Sequence, residues 1–217
     1  MLGPLAYYDA DFVHMHDATR VDRLWSLDTS DDANRHAKQD TSGNMPTVVD
    51  NDPDFGGHRS LVFGSANAAL VTGLFSSVST QPMTIYMVGK TGTGAAQFFF
   101  DALSTTNRGY LSFASTTTST WFGANVNVGI AASTKIVYSA VVSGAASSVA
   151  INATTGATVN LGANNLGGLT IGNAYSFGYP LGNGKITSLA IYAGTHAATI
   201  RARLIKYWGA KYGITIT

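Results

Sequence analysis

Short runs of alternating apolar and polar residues, each bounded by glycine, asparagine, threonine or proline, follow one another along most of this 217-residue chain. Runs at 5–8, 12–15, 21–26, 60–64, 69–75, 83–89, 96–101, 109–114, 120–129, 135–143, 147–152, 157–161, 168–172 and 185–192 read as strands. "DNDPDFGG", "TGTG", "TTNRG", "NATTG", "NNLGG" and "YPLGNG" supply turns between them. No segment of helical period separates the strands, so crossovers of the parallel α/β kind are missing. The pattern predicts an all-β antiparallel sandwich.

Two stretches break the pattern. Residues 28–58 are polar and aspartate-rich with little periodicity, which predicts a long surface loop or pair of loops. Residues 195–212 predict one amphipathic helix. Ile200, Leu204, Trp208 and Tyr212 make an apolar stripe with Ile205 alongside, Thr195 or Thr199 is placed to cap the start, and Gly213 to end it. Such a helix packs on the sandwich or covers a sheet edge. No linker or repeat divides the chain, and a single domain spanning 1–217 is expected.

Charge excludes several function classes. All twelve acids are aspartates and none lies beyond Asp101, whereas seven of the thirteen Lys and Arg do. Nucleic-acid binding needs a basic patch without an acidic counterpart, and the near-zero total argues against it. Either the two halves interleave and neutralise each other, or the molecule has an acidic and a basic end suited to layered assembly. No cysteine is present, so disulfides and thiolate metal sites are excluded. The apolar runs are too short for membrane insertion. The opening "MLGPLAYYDAD" lacks the basic and apolar regions of a secretory signal.

The ending "GKITSLAIYAGTHAATIRARLIKYWGAKYGI" resembles that of the concanavalin A-like lectin/glucanase superfamily in its laminin-G-like branch. Gly184, Lys185, Ile186, Ile191, Tyr192, Tyr207, Trp208, Lys211, Tyr212 and Gly213 fit the pattern, and Ser188 stands where the family often has glutamate. "AYYDAD" and "LWSLDTSDDANRHAKQ", with Trp25, Asp28, Ser30, His36, Ala37 and Gln39, resemble the opening segments in order. The resemblance implies a jelly-roll sandwich of two curved antiparallel sheets, completed here by the C-terminal helix. It also implies kinship with accessory modules of bacterial surface proteins and phage structural proteins.

Candidate sites are few. The superfamily's glucanases use paired glutamates about 5 Å apart, and this chain has no glutamate, so an enzyme of that mechanism is not expected. A calcium ion needs six to eight oxygens. Asp50, Asn51, Asp52 and Asp54 offer four within five residues, although the same residues also make an ordinary polar turn. Trp121 and Asn125 offer stacking and an amide to a sugar ring, with a core role for Trp121 equally open. His14 and His16 share a strand face without a third ligand, and His36 reads as a packing or hydrogen-bonding residue.

These readings converge on a non-enzymatic lectin-like module. The first expectation is a bacteriophage virion accessory protein, made in the host cytoplasm, that decorates the capsid or forms part of a fibre or tail surface. Its partners would be other virion proteins, copies of itself and host cell-surface glycans, with no nucleic acid. The alternative is a carbohydrate-binding module of a bacterial cell surface or secreted system.

Overall fold

The computed structural model describes residues 4–27, 33–93, 96–113, 119–121, 124–126 and 130–217, with 119–121 and 124–126 followed by their backbone. The chain forms β1 (Ala6–Met15), β2 (Val21–Ser26), β3 (Ala37–Lys38), β4 (Thr47–Asp52), β5 (His58–Val62), β6 (Leu70–Val71), β7 (Met83–Lys90) and β8 (Gln97–Asp101). It continues through β9 (Leu111–Phe113), β10 (Ser119–Trp121), β11 (Ala124–Val126), β12 (Lys135–Val142), β13 (Ser147–Ile151), β14 (Ala157–Val159), β15 (Thr170–Ile171), β16 (Lys185–Ala193) and the helix α1 (Ala198–Tyr212).

The result is an antiparallel jelly-roll sandwich. One layer runs β14-β13-β12-β7-β16-β1, and the order continues through β2-β3-β6-β15-β8-β9-β10-β11. Pairing of β1 with β2 contains two register shifts, the kind of irregularity by which a strand turns from one sheet into the next. β4 and β5 form a ribbon attached to β16 through Leu61 and Val62.

The central strand β7, "MTIYMVGK", is buried on both faces, which explains its nearly unbroken apolar run. Met83, Ile85 and Met87 enter the core between the sheets, while Tyr86 and Val88 face a second core beneath α1. β12 divides in the same way, with Ile136 and Tyr138 on one side and Val137 on the other. Close approach of the sheets requires glycine at 89. A Cβ there would lie 2.8 Å from the Phe99 ring of β8 and 2.5 Å from the Lys185 carbonyl.

Several expectations need correction. β3 and β4 lie inside the stretch expected to be loop. "TVVDND" alternates too briefly to stand out, and it is held by pairing Thr47 with Val62 and Val49 with Ser60. The single run at 120–129 contains two short paired strands, β10 and β11.

The helix begins later than expected, at Ala198 after Ala197, and neither Thr195 nor Thr199 caps it. Its buried face is Ile205, Trp208, Gly209 and Tyr212, whereas Ile200 and Leu204 are only partly covered. Gly209 belongs to the inner face because the tail folds back over it: a Cβ would lie 2.4 Å from Ile216. Gly213 ends the helix in the left-handed conformation, φ 63°, as the sequence predicts.

His196 fixes the approach to α1. Its Nδ1 lies 2.9 Å from the Tyr86 hydroxyl, and its ring packs 4.6 Å from that of Tyr192. Burial, and then the Arg201 charge, lower its pKa below the ordinary value of 6.5. The fold therefore prefers neutral imidazole, while the unfolded chain takes up a proton near pH 6.5. Stability from this group is complete above pH 6.5 and declines as pH falls from there to the lower folded value. Thermal melts of the wild type and His196→Gln between pH 7.5 and 5 should show a shallower acid-side loss of Tm in the variant.

Candidate functional site

The "DNDPD" turn is built around a carboxylate. Asp52 ends β4 and accepts a hydrogen bond from the Asp54 backbone N–H at 3.0 Å, capping a single 3-10 turn that has proline at its first position. Asn51 and Gly56 take left-handed backbone angles, φ 52° and 65°, on either side. The Asp52 side chain is fully buried, and Ser60 donates its hydroxyl to it. Lys185, which opens β16, places its ammonium 2.8 Å from Asp52 Oδ2 and 2.7 Å from Asp54 Oδ2. Lys90 closes the group, 2.8 Å from Asp54. Burial acts to raise the Asp54 pKa, but hydrogen bonds from Lys185 and Lys90 outweigh it and hold the carboxyl below its usual range.

The four oxygen-bearing residues singled out for calcium are therefore not brought together. Asp52 and Asp54 turn inward around the Lys185 ammonium, a cation supplied by the chain itself. Asp50 pairs with Arg59 at 2.6 Å and, with Asn51, lines a shallow polar depression shared with Asp11 and Gly57. Asp28, Asp31 and Asp32 lie outside the described residues.

The same ion-pairing joins the two charge halves of the sequence. Asp9 meets Lys211 at 3.4 Å, Asp52 meets Lys185, and Asp101 meets Arg108 at 2.8 Å. Acidic and basic halves interleave in one sandwich.

The Asp101 pair organises the most distinctive surface of the molecule. Asp101 ends β8 with its side chain fully buried. It accepts hydrogen bonds from the Ala102 N–H (2.8 Å), Arg108 Nε (2.9 Å), Arg108 Nη2 (2.8 Å) and the Tyr175 N–H (3.1 Å). One carboxylate thereby ties the loop after β8 to the loop after β15. The Arg108 guanidinium is sandwiched, its carbon 4.6 Å from the Tyr110 ring centre and 4.7 Å from that of Tyr175. Hydrogen bonds to Asp101 raise the Arg108 pKa further above its already high ordinary value.

Phe98 extends this group, its ring 5.4 Å from Tyr110 and 6.0 Å from Tyr179. Buried Asn173 braces the second loop. Its carbonyl oxygen accepts from the Ala174 and Tyr179 N–H groups, and its amide donates to Ala66 O at 3.1 Å. The turn holds Tyr179 at 51% exposure and Phe177 at 38%. Exposed aromatic rings on braced loops can stack against the C–H face of a ring ligand, with the tyrosine hydroxyls available for hydrogen bonds.

The pair proposed for sugar contact is separated in register. Trp121 lies in one cross-strand row with Leu111 and Ala124, and Asn125 lies in the next with Thr120, Ser112 and Phe98. Their side chains fall outside the described residues. His14 Nδ1 is 2.7 Å from Asp22, and both His14 and His16 are exposed. His36 Nδ1 accepts from the Ser26 N–H at 3.1 Å, and the ring meets Trp25 edge-on. The hydrogen-bonding role expected of it is what the structure shows.

Sequence reasoning missed Asp101, Arg108, Tyr110, Tyr175 and Tyr179. A signal was present in "AYSFGYP", three aromatics at alternate positions inside a glycine- and proline-bounded turn. The partner Arg108 lies in a different turn, and no local pattern links the two.

No family model matches the chain, and no curated protein matches it in sequence. Solved structures do resemble it. A sialidase from Trypanosoma rangeli, in complex with sialic acid, superposes with TM-score 0.58 at 8% identity, over 92% of this chain and 32% of that one. Domain 4 of AbnA, a GH43 extracellular arabinanase from Geobacillus stearothermophilus, in complex with arabinotriose, gives 0.52 at 16% identity, over 76% and 84%. The binding domain of Paraclostridial Mosquitocidal Protein 1 gives 0.55 at 11% identity, over 86% and 52%. The chain thus spans about a third of the sialidase and half of the toxin chain. At these identities the likeness is one of fold, an antiparallel β-sandwich.

Removing the Lys185 charge leaves Asp52 buried beside no ammonium. Lys185→Met should cost about 3–5 kcal/mol in urea unfolding, the penalty of an uncompensated buried charge. Adding Asp52→Asn should recover a large part of that loss, since the amide needs no counter-ion.

Proposed function

We propose that this chain is a non-enzymatic, lectin-like carbohydrate-binding module of the laminin-G-like branch. In this reading a saccharide stacks on the aromatic surface formed by Tyr110, Tyr175 and Tyr179, with buried Phe98 packed against Tyr110 and Tyr179. The observation that carries the reading is the exposure of Tyr179 and Phe177 on a loop braced by buried Asn173 and Asp101. A large aromatic ring presented to water on a hydrogen-bonded turn is a ready contact for a sugar, because a preorganised loop loses little ordering entropy on binding. The arabinotriose complex of the arabinanase domain supports the reading by analogy of fold. A binding role also accords with the acids of the chain. The buried carboxylates Asp9, Asp52 and Asp101 each face a Lys or Arg and a backbone N–H. None of the three is free to serve as acid or nucleophile.

The setting we propose for the module is a bacteriophage virion, at the capsid, fibre or tail surface, with a bacterial cell surface as the alternative. The low fraction of charged residues, 12%, suits a subunit packed among others. Apolar Ile200, Leu204 and Tyr207 are left partly or largely open beside Arg203 on α1, a surface available for such packing. Purified protein that fails to bind its own virion or shell counts against this setting.

A glycan and bacterial-polysaccharide panel, run with Ca²⁺ and again with EDTA, tests the function. The wild type should bind a subset of polysaccharides saturably, and Tyr179→Ala should weaken that binding about tenfold or more, the loss of one stacked ring and its hydrogen bond. Loss of binding in EDTA would point to an ion at Asp50 and Asn51. Binding unchanged in a Phe177→Ala/Tyr179→Ala double variant would remove the aromatic surface as the site.

A further inference from the structure

Arginine carries five N–H donors in a rigid plane. At Arg108 the inner edge is used: Nε and one proton of Nη2 go to the two oxygens of Asp101. This leaves the end-on edge, one proton of Nη1 and the second proton of Nη2, with the other Nη1 proton directed toward the Cδ side. The rings of Tyr110 and Tyr175 pack against the guanidinium, with its carbon 4.6 and 4.7 Å from their centres. The Arg108 side chain reaches solvent, 28% exposed, whereas Asp101 is at 0%. Approaching solutes therefore meet the cation of this pair first. No acid occurs in residues 102–217, which supply both loops around the site, so nothing in that stretch repels an anion.

A planar fork with its two outer N–H groups open matches a carboxylate, sulfate or phosphate. Tyr110, which stacks on Arg108, and Tyr179 both pack on the buried Phe98 ring, so the anion site lies beside the stacking surface. We infer that the platform takes acidic saccharides, with the anionic group of one sugar on the outer edge of Arg108 and a neutral sugar face on the aromatic rings. The inference rests on the saccharide-binding reading above and narrows it to a ligand class.

Titration calorimetry at fixed ionic strength tests it with polymers that share a sugar backbone and differ in charge: polygalacturonate against its methyl ester, and dextran sulfate against dextran. The wild type should favour the charged member of a pair by about tenfold, the ratio that one charge-assisted hydrogen bond supplies. Whichever pair shows the preference identifies carboxylate or sulfate as the group held. Removing Arg108 alone strands buried Asp101, so the variant to use is Asp101→Asn/Arg108→Gln, which keeps an amide pair in the same place. Its ratio should fall to near one, while Lys206→Gln, on the exposed side of α1, should leave the ratio intact.

A preference that survives in the double variant, or that Lys206→Gln abolishes, would assign it to the general basic field and overturn the inference. Equal wild-type affinity within each pair, with Tyr179→Ala weakening both members, would overturn the acidic class and leave the platform standing. No polymer bound in a way that Tyr179→Ala alters would overturn both.

Discussion

Among the described residues three carboxylates are buried in this sandwich, and each is satisfied in the same manner. Asp9, Asp52 and Asp101 each accept a backbone N–H from one or two residues further along: Asp11, Asp54 and Ala102. Each then faces a basic side chain from elsewhere in the fold: Lys211, Lys185 and Arg108. The first half of this scheme needs aspartate. A glutamate's extra methylene carries the carboxylate away from its own backbone, and the local turn is lost. For Asp9 and Asp52 the second half stitches sequence-distant elements together, and for Asp101 it closes the loop that follows β8, since a buried carboxylate without its partner is among the most destabilising defects a core can hold. Lys185 joins β16 to the β4–β5 ribbon, Lys211 joins α1 to β1, and Arg108 with the Tyr175 N–H joins the loops that present the aromatic surface.

The same scheme explains a division in what the sequence made legible. Strand positions were readable because one-face or two-face burial imposes a period on residues that are neighbours in the chain, as in β7, β12 and β16. The C-terminal helix and its glycine stop were readable for the same reason. β4 was not, because its short exposed ribbon has a polar composition, and only pairing with β5 makes it a strand. The apolar stripe on α1 came out rotated, since the chain's last residues pack on Gly209 and bring it to the inner face with Ile205, leaving Ile200 and Leu204 partly covered.

The candidate sites depend on long-range pairings, and these are silent in sequence. "DNDPD" has the composition of a cation loop, and it does surround a cation, but the cation is Lys185, 131 to 133 positions away. Asp9 is likewise held from a distance: Ser188, its direct cross-strand partner in the β1–β16 register, donates a hydroxyl to its carboxylate at 3.3 Å. The composition of a site is therefore local in the chain while its members are not.

On the saccharide-binding reading proposed above, the aromatic surface also sets the scale at which such a module would operate. Stacked rings contribute about 0.5–1.5 kcal/mol each beyond their buried area, and a hydrogen bond to a solvated hydroxyl about 0.5–1.5 kcal/mol net. A site of two exposed rings, a few hydroxyls and one guanidinium edge therefore reaches roughly the 4 kcal/mol that corresponds to millimolar affinity. Braced loops keep that small gain from being lost to ordering, which is the physical use of burying Asn173 and Asp101 beneath rings that stay in water. Millimolar contact by one copy becomes firm attachment only when many copies engage one polymer, where avidity adds factors of about 10²–10⁴. A sandwich with low surface charge and a partly open apolar helix face is suited to being arrayed, and arraying is what a weak saccharide platform needs in order to hold anything.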